Sequence, residues 1–314
     1  MRQIVEAGLP RDVFSQSPTA VTVNFGMNDG GMGGLSQQNY EAFIACQTEI
    51  ARQLTSKGIR VAFITPRPME RSQKPAELTN NHSLAKLSEG LAAVATITGA
   101  RYANAFPILI ETLTAAHSKN PDVSITGGDG VHPAAPGHLL LVWAFLKTLK
   151  APSAVSSVTP DAQKGSVVSS VGCTITELTS TGGTLHFQRL DDALPLPVPA
   201  EAAPALQSAP VLNDLSAYSL RVTGLLALRY SLKIDNQFAG DFTRDQLSSG
   251  INLAALPGPV TTQTQALLKK IVNKNQLFSI AGVGCSFMKS NFTIGFALRP
   301  NSDPSNWRPS QCRK

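Results

Sequence analysis

The chain has no apolar run long enough to cross a membrane. Its longest, Leu139 to Leu146, falls far short of the roughly 20 residues a spanning helix needs. It does not open on a signal peptide, because Met1-Arg2 leads into Gln3-Ile4-Val5-Glu6-Ala7-Gly8 with no apolar core. Cysteine is sparse. Cys46, Cys173, Cys285 and Cys312 are too few in 314 residues for a disulfide scaffold, and none forms a C-x-x-C pair, so no zinc site is expected. Cys46 falls in an apolar helical pattern and is expected as a small core residue. A bridge among the other three stays open if the protein is exported. Charge is also thin, at 15% of residues and a net +6, and its basic residues are scattered in pairs such as Lys269-Lys270 and Arg313-Lys314. A nucleic-acid surface gathers its cations on one face, so neither a nucleic-acid partner nor a membrane surface is expected. The glycine-rich run 26–34 fits neither G-x-G-x-x-G nor P-loop spacing, which argues against a nucleotide cofactor.

What is present is a packed core, with 42% hydrophobic residues, and a strand-helix rhythm over the first half. Thr19 to Phe25 is β-rich, follows Pro18 and ends at Gly26. Ser36 is placed to cap a helix reaching about Lys57, with Tyr40, Phe43, Ile44, Ile50 and Leu54 on one face and Gly58 just past its end. Ile59 to Thr65 is apolar on both faces except at Arg60, as in a buried parallel strand. Further helices are expected over about 82–98, from Pro107 to about His117, and from near Pro136. The last is apolar nearly all round and should be largely buried. Arg101 to Phe106 reads as a short strand. This alternation predicts a parallel sheet covered by helices on both faces.

The character changes near Ala151. Residues 151–170 are rich in Ser, Val and Pro, as in a linker or edge segment, and the Pro- and Ala-rich stretch 191–210 reads as a long loop. Period-2 alternation then dominates at Tyr218, Leu220 and Val222 and at Tyr230, Leu232 and Ile234, which precede a turn at Asp235-Asn236. Residues 263–274 read as a helix with Leu267, Leu268 and Ile271 facing inward. The division expected is an α/β domain over 1–150 and a β-rich module over 151–314, without internal repeats.

Two segments can carry chemistry. Gly26-Met27-Asn28-Asp29 directly follows a strand, and ligands of open α/β sheets bind beyond the carboxyl ends of the strands. A side-chain amide there can donate to a developing oxyanion, although a turn that merely ends a strand is the plainer reading. Asp129-Gly130-Val131-His132-Pro133 is the second. Three-residue spacing lets the Asp carboxylate accept from the His Nδ1–H, which leaves Nε2 as a general base. Here the plainer reading is a loop Asp and a His before a helix. His82, His117 and His186 read as structural, while His138 sits one turn into the last helix, where it either packs or lines the site.

G-x-N-D after one strand and D-x-x-H-P before the last helix, in that order, resemble two blocks of the SGNH/GDSL hydrolases. The resemblance spans about residues 12–150. It implies a flavodoxin-like three-layer α/β/α sandwich and ester hydrolysis without metal or organic cofactor. It further implies Asn28 as oxyanion-hole donor, Asp129 and His132 as triad acid and base, and Gly26 in the turn presenting Asn28. Small acyl or carbohydrate esters are the substrates it suggests. Gly240-Asp241-Phe242-Thr243, Gln246-Leu247 and Gly250-Ile251-Asn252-Leu253-Ala254 resemble the segment that follows the catalytic domain in a bacterial branch of that family.

The family's first block, a G-D-S motif whose Ser is the nucleophile, occurs nowhere in the sequence. Only 25 residues precede Gly26, and their serines, Ser15 and Ser17, precede the strand instead of following it. The expectation is an N-terminally incomplete domain that lacks its first strands and its nucleophile and is inactive as an isolated chain. A longer form would be an exported enzyme. The competing expectation is a non-catalytic remnant acting as a carbohydrate-binding or interaction protein. Oligomeric state is left open.

Overall fold

A computed structural model of the chain describes residues 4–30, 34–72, 74–126 and 128–287. Met1-Arg2, Gly31 to Gly33 of the glycine-rich run, Gly127, Cys312 and the Arg313-Lys314 pair lie outside them. By its contacts the chain divides into one unit over 1–268 and another over 269–314.

In the first unit a π-helical segment, Ile4–Val13, precedes β1 (Ala20–Val23). Then come α1 (Gln37–Thr55), β2 (Arg60–Ile64), α2 (Thr79–Thr98), β3 (Arg101–Ala103), α3 (Ala105–Lys119) and α4 (Ala135–Thr148). Strands and helices alternate as the sequence predicts, with boundaries shifted by a few residues. The Ser36 hydroxyl accepts from Asn39 N and caps α1, and Gly58 takes φ +72° beyond its end, which costs glycine nothing. β1, β2 and β3 form a parallel sheet in that order, with Val21 opposite Val61 and Ile64 opposite Ala103.

The residue alternation of β2 builds the layers. Val61 and Phe63 point to one side, into a cluster with Phe43, Ile50 and Leu54 of α1 and Leu87, Leu91 and Val94 of α2. Ile64 points to the other, among Leu109 and Leu113 of α3 and Leu139, Leu140 and Trp143 of α4. Helices therefore cover both faces, giving the expected α/β/α sandwich. Burying each such side chain contributes roughly 1.5–3 kcal/mol. α4 buries Pro136, Leu139, Leu140, Trp143 and Ala144, less of its surface than expected, while Val142 stays exposed.

The stretch 191–210 is not a loop throughout. It contains a 3-10 turn (Ala200–Ala202) and α5 (Ala205–Ser208), followed by α6 (Val211–Leu215). Ala202, Ala205, Ala209 and Val211 are buried against α3 and α4. Alanine is small enough to let these short helices lie close on the larger side chains of α4. Asp214 of α6 accepts from Trp143 Nε1 at 2.9 Å and from Lys147 Nζ at 2.7 Å.

Residues 151–170 form strands instead of a linker, and the later of the two is an edge strand, the alternative the composition allowed. β4 (Ala154–Asp161) lies inside a four-stranded sheet between β5 (Ser166–Val171) and β8 (Ala217–Leu220), and β11 (Ile251–Asn252) closes the far side. Ser156 is buried there because its hydroxyl donates to Asp191 and accepts from Arg189. Pro160, which has no N–H, coincides with a register shift against β5. β6 (Cys173–Thr181) pairs with β7 (Thr184–Asp191), and β9 (Arg229–Ile234) pairs with β10 (Gln237–Thr243). Asp235 and Asn236 join the latter pair with φ of 49° and 62°, the two positive values a two-residue turn needs. Tyr218, Leu220 and Val222 anchor the core of this part with Val158 and Leu247 of α7 (Arg244–Ser249).

The final helix, α8 (Pro259–Phe287), runs beyond the expected 263–274 at both ends. Its expected inward stripe is not buried. Leu267 and Ile271 stand exposed, Leu268 is half-buried, and Thr264 is the covered position. An apolar stripe marks a face, but it buries only where other side chains cover it. Cys46 is half-buried and free, short of the core position expected. Cys173 is also free, its thiol donating to Ser157 O at 3.4 Å.

Candidate acid–base site

The site forms beyond the carboxyl ends of β1 and β2. Asn24, one residue past β1, donates from Nδ2 to Ile64 O at 3.1 Å and to Thr65 O at 3.0 Å, which locks the two strand ends together. Gly26 follows, buried at φ +117°, where a Cβ would come within 3.2 Å of Pro66. Its carbonyl accepts from Gly30 N at 2.8 Å, closing a turn over 26–30. Asn28 rides on that turn, exposed, and among the described residues its amide has no hydrogen-bond partner. The next residue, Asp29, is half-buried, and that burial raises its carboxyl above the ordinary range.

The second segment lies between α3 and α4. Asp129 Oδ2 accepts from His132 Nδ1 at 2.5 Å, while Oδ1 accepts the backbone N–H groups of Val131 at 2.7 Å and His132 at 2.8 Å. Led by the imidazole, these donors hold the Asp129 carboxyl well below its usual range. The His132 side chain is 84% exposed, and no serine hydroxyl among the described residues bonds to its Nε2. With a carboxylate on Nδ1, the proton sits there and the Nε2 lone pair faces solvent.

The structure thus joins Asp129 to His132 and places Gly26 and Asn28 on one turn. A small apolar floor links the two segments. Met27, beside Asn28, and Val131, beside His132, both pack against Met69, Leu84 and Phe106.

Ser15 and Ser17 sit before the start of β1, at the opposite end of the strand from the site. Ser15 donates its hydroxyl to Arg11 O. His82, His138 and His186 are exposed, and His82 Nε2 bonds to Ala76 O. His117 is buried at the last turn of α3.

Three residues near the pair escape a reading by local spacing. Arg67, Glu70 and Arg71 lie on the loop after β2. Arg71 Nε donates to Asp129 O at 3.3 Å. Burial lowers the Arg67 guanidinium, and the nearby carboxylates of Asp129 and Glu70 oppose that shift. Glu70 is fully sequestered and bonds to His117. The one available signal was Thr65-Pro66-Arg67-Pro68-Met69-Glu70-Arg71, charged residues at the carboxyl end of an apolar strand. Among the described residues, no group of three His, Cys, Asp or Glu side chains is placed to hold a metal ion. No described helix is long and apolar enough to cross a membrane.

A parallel sheet covered on both faces, with an Asp–His pair beyond its strand ends, defines a protein of the SGNH-hydrolase fold class. The model of the GDSL-like Lipase/Acylhydrolase family matches residues 2–140. No curated protein matches the chain. Among solved structures it is similar to BT4096, described as a gut microbial diltiazem-metabolizing enzyme. That match has 26% identity and a TM-score of 0.72, and covers 83% of this chain. The chain spans 64% of that protein's length. It also matches Axe2, an acetylxylan esterase from Geobacillus stearothermophilus, at 19% identity and a TM-score of 0.39, covering 48% of this chain and 68% of that one.

Proposed function

We propose that the chain carries the acid–base and oxyanion half of a serine ester hydrolase acting on small acyl or carbohydrate esters. The observation that carries this reading is the 2.5 Å contact of His132 Nδ1 with Asp129, which leaves Nε2 open to solvent. In the proposed reaction His132 takes a proton from the attacking hydroxyl and returns it to the leaving alkoxide. Asp129 fixes the tautomer and stabilises the imidazolium. Asn28 donates to the oxyanion, a contribution of about 3 kcal/mol for such a donor. The match of residues 2–140 to a lipase/acylhydrolase family model supports the reaction class, and BT4096, similar over 83% of this chain, is described as a metabolizing enzyme.

No G-D-S motif occurs in the sequence. As an isolated chain the protein is therefore proposed to turn over esters slowly, on the order of 10⁶ below a complete triad. The expected result with p-nitrophenyl acetate is weak hydrolysis that His132→Ala abolishes. Hydrolysis surviving that substitution would sink the assigned roles. No hydrolysis at all would favour the second reading, a carbohydrate-binding or interaction protein, for which the absence of any serine bonded to His132 among the described residues speaks.

A further inference from the structure

Bonded to the chain on either side of Asp129 is a buried carboxylate that the proposed reaction does not use. The Glu70 side chain is 2% exposed. Its two oxygens accept from Ile125 N at 3.2 and 3.0 Å, from Thr126 N at 2.8 Å and from His117 Nε2 at 3.1 Å. Its own backbone N–H donates to Gly130 O at 2.8 Å. One residue thus grips Ile125, Thr126 and Gly130, on both sides of Asp129. The grip is close: Gly130 has φ +71°, and a Cβ there would lie 3.1 Å from the Arg71 backbone.

The chemistry of the contacts calls for a carboxylate. Two of the groups around it are backbone N–H donors and the His117 ring is a third when Nε2 carries the proton, so an acceptor-only side chain satisfies every one, whereas a neutral amide keeps them all only by turning its NH₂ to His117 and moving that ring's proton to the unpartnered Nδ1. A buried carboxylate is costly unless such donors surround it. His117 makes the requirement sharper. Its ring is 7% exposed, and Nδ1 has no partner among the described residues. Among the described residues the bond to Glu70 is therefore the ring's polar contact, and it ties the last turn of α3 to the β2 loop.

We propose that Glu70, anchored by His117, is a positioning residue. Through Ile125, Thr126 and Gly130 it sets the backbone around Asp129 so that the Asp129 carboxylate meets His132 Nδ1 and fixes the tautomer of that imidazole. This inference rests on the reading of Asp129 and His132 as an acid–base pair. It differs from a purely stabilising role in one respect: the tautomer of His132, a ring Glu70 does not touch, depends on it.

The test is Glu70→Gln, nearly equal in volume. Long-range ¹H–¹⁵N NMR reads the His132 tautomer at a pH where imidazole is neutral, and amide exchange reads Ile125 and Thr126. In the unaltered protein the Nδ1–H form should dominate. In folded Glu70→Gln the two amides should exchange faster, and the Nδ1–H to Nε2–H ratio should fall about tenfold, as for losing one hydrogen bond to a charged group. A folded variant with faster exchange but an unchanged His132 ratio overturns the proposal and leaves Glu70 a loop anchor only. Should Glu70→Gln not fold, His117→Phe removes one donor and spares the two backbone partners. It should shift the same ratio by a smaller factor, and no shift overturns the proposal. If the unaltered protein shows no Nδ1–H preference, the acid–base reading itself fails. No ester is needed, so slow turnover does not obscure either result.

Discussion

Asp129 accepts three hydrogen bonds within four residues of chain, and its carboxyl is held low first by the His132 ring. The sign of the pH effect follows. A carboxyl depressed in the folded state adds stability that is present above the unfolded value, about 4, and fades as pH falls toward the folded one. Asp129→Asn should therefore be less stable than the parent at pH 7 in urea unfolding, and the gap should narrow progressively as pH falls below about 4. A gap that stays constant as pH falls would mean the carboxylate charge is not what the loop uses. This pair was legible in the sequence because both partners lie on one short loop, where spacing alone decides contact. Glu70 and His117 were not, since 47 residues separate them. Neither neighbourhood hints at the other, and only the packing of α3 beside the β2 loop brings them together.

At the scale of elements, legibility followed side-chain size. β2, α1 and α4 announce themselves through large apolar residues at regular spacing, and each sits where that spacing places it. β4 and the short helices over 200–208 are rich in Ser, Val, Ala and Pro, so they read as linker or edge and as loop. Their burial comes from partners elsewhere: Asp191 and Arg189 for Ser156, and α3 and α4 for the alanines. The α8 stripe failed in the opposite sense, because periodicity names a face without supplying its cover. Leu84 of α2 offers a test at this scale. It is fully buried, belongs to the floor under Met27 and Val131, and fills the space beside Gly30. Leu84→Ala should cost about 2–5 kcal/mol in chemical unfolding. It should also move the amide resonances of both Asn28 and His132. A change at one segment without the other would deny them a shared floor.

Taken as a whole, the first unit runs to Leu268. One apolar cluster holds Leu140 and Trp143 together with Ala202, Ala205 and Val211, so the sandwich and the segment after residue 196 share a core. A chain ending at residue 150 would leave that cluster open to water. It is expected to aggregate or lose its cooperative melt by circular dichroism, whereas a chain ending at 268 should keep both. A well-behaved 1–150 fragment would show that the helices over 200–215 are dispensable cover. Exposed apolar surface of that kind is what drives association between copies.

Trp143 gives this cover an optical consequence. Its indole is buried, donates to Asp214 and lies under a cation, Lys147 Nζ, 5.1 Å from the ring. The chain's other tryptophan, Trp307, lies outside the described residues. With Trp307 replaced by Phe, ultraviolet emission would come from a single chromophore seated where the alanine-rich segment closes on α4, so its colour would register whether that seam is shut.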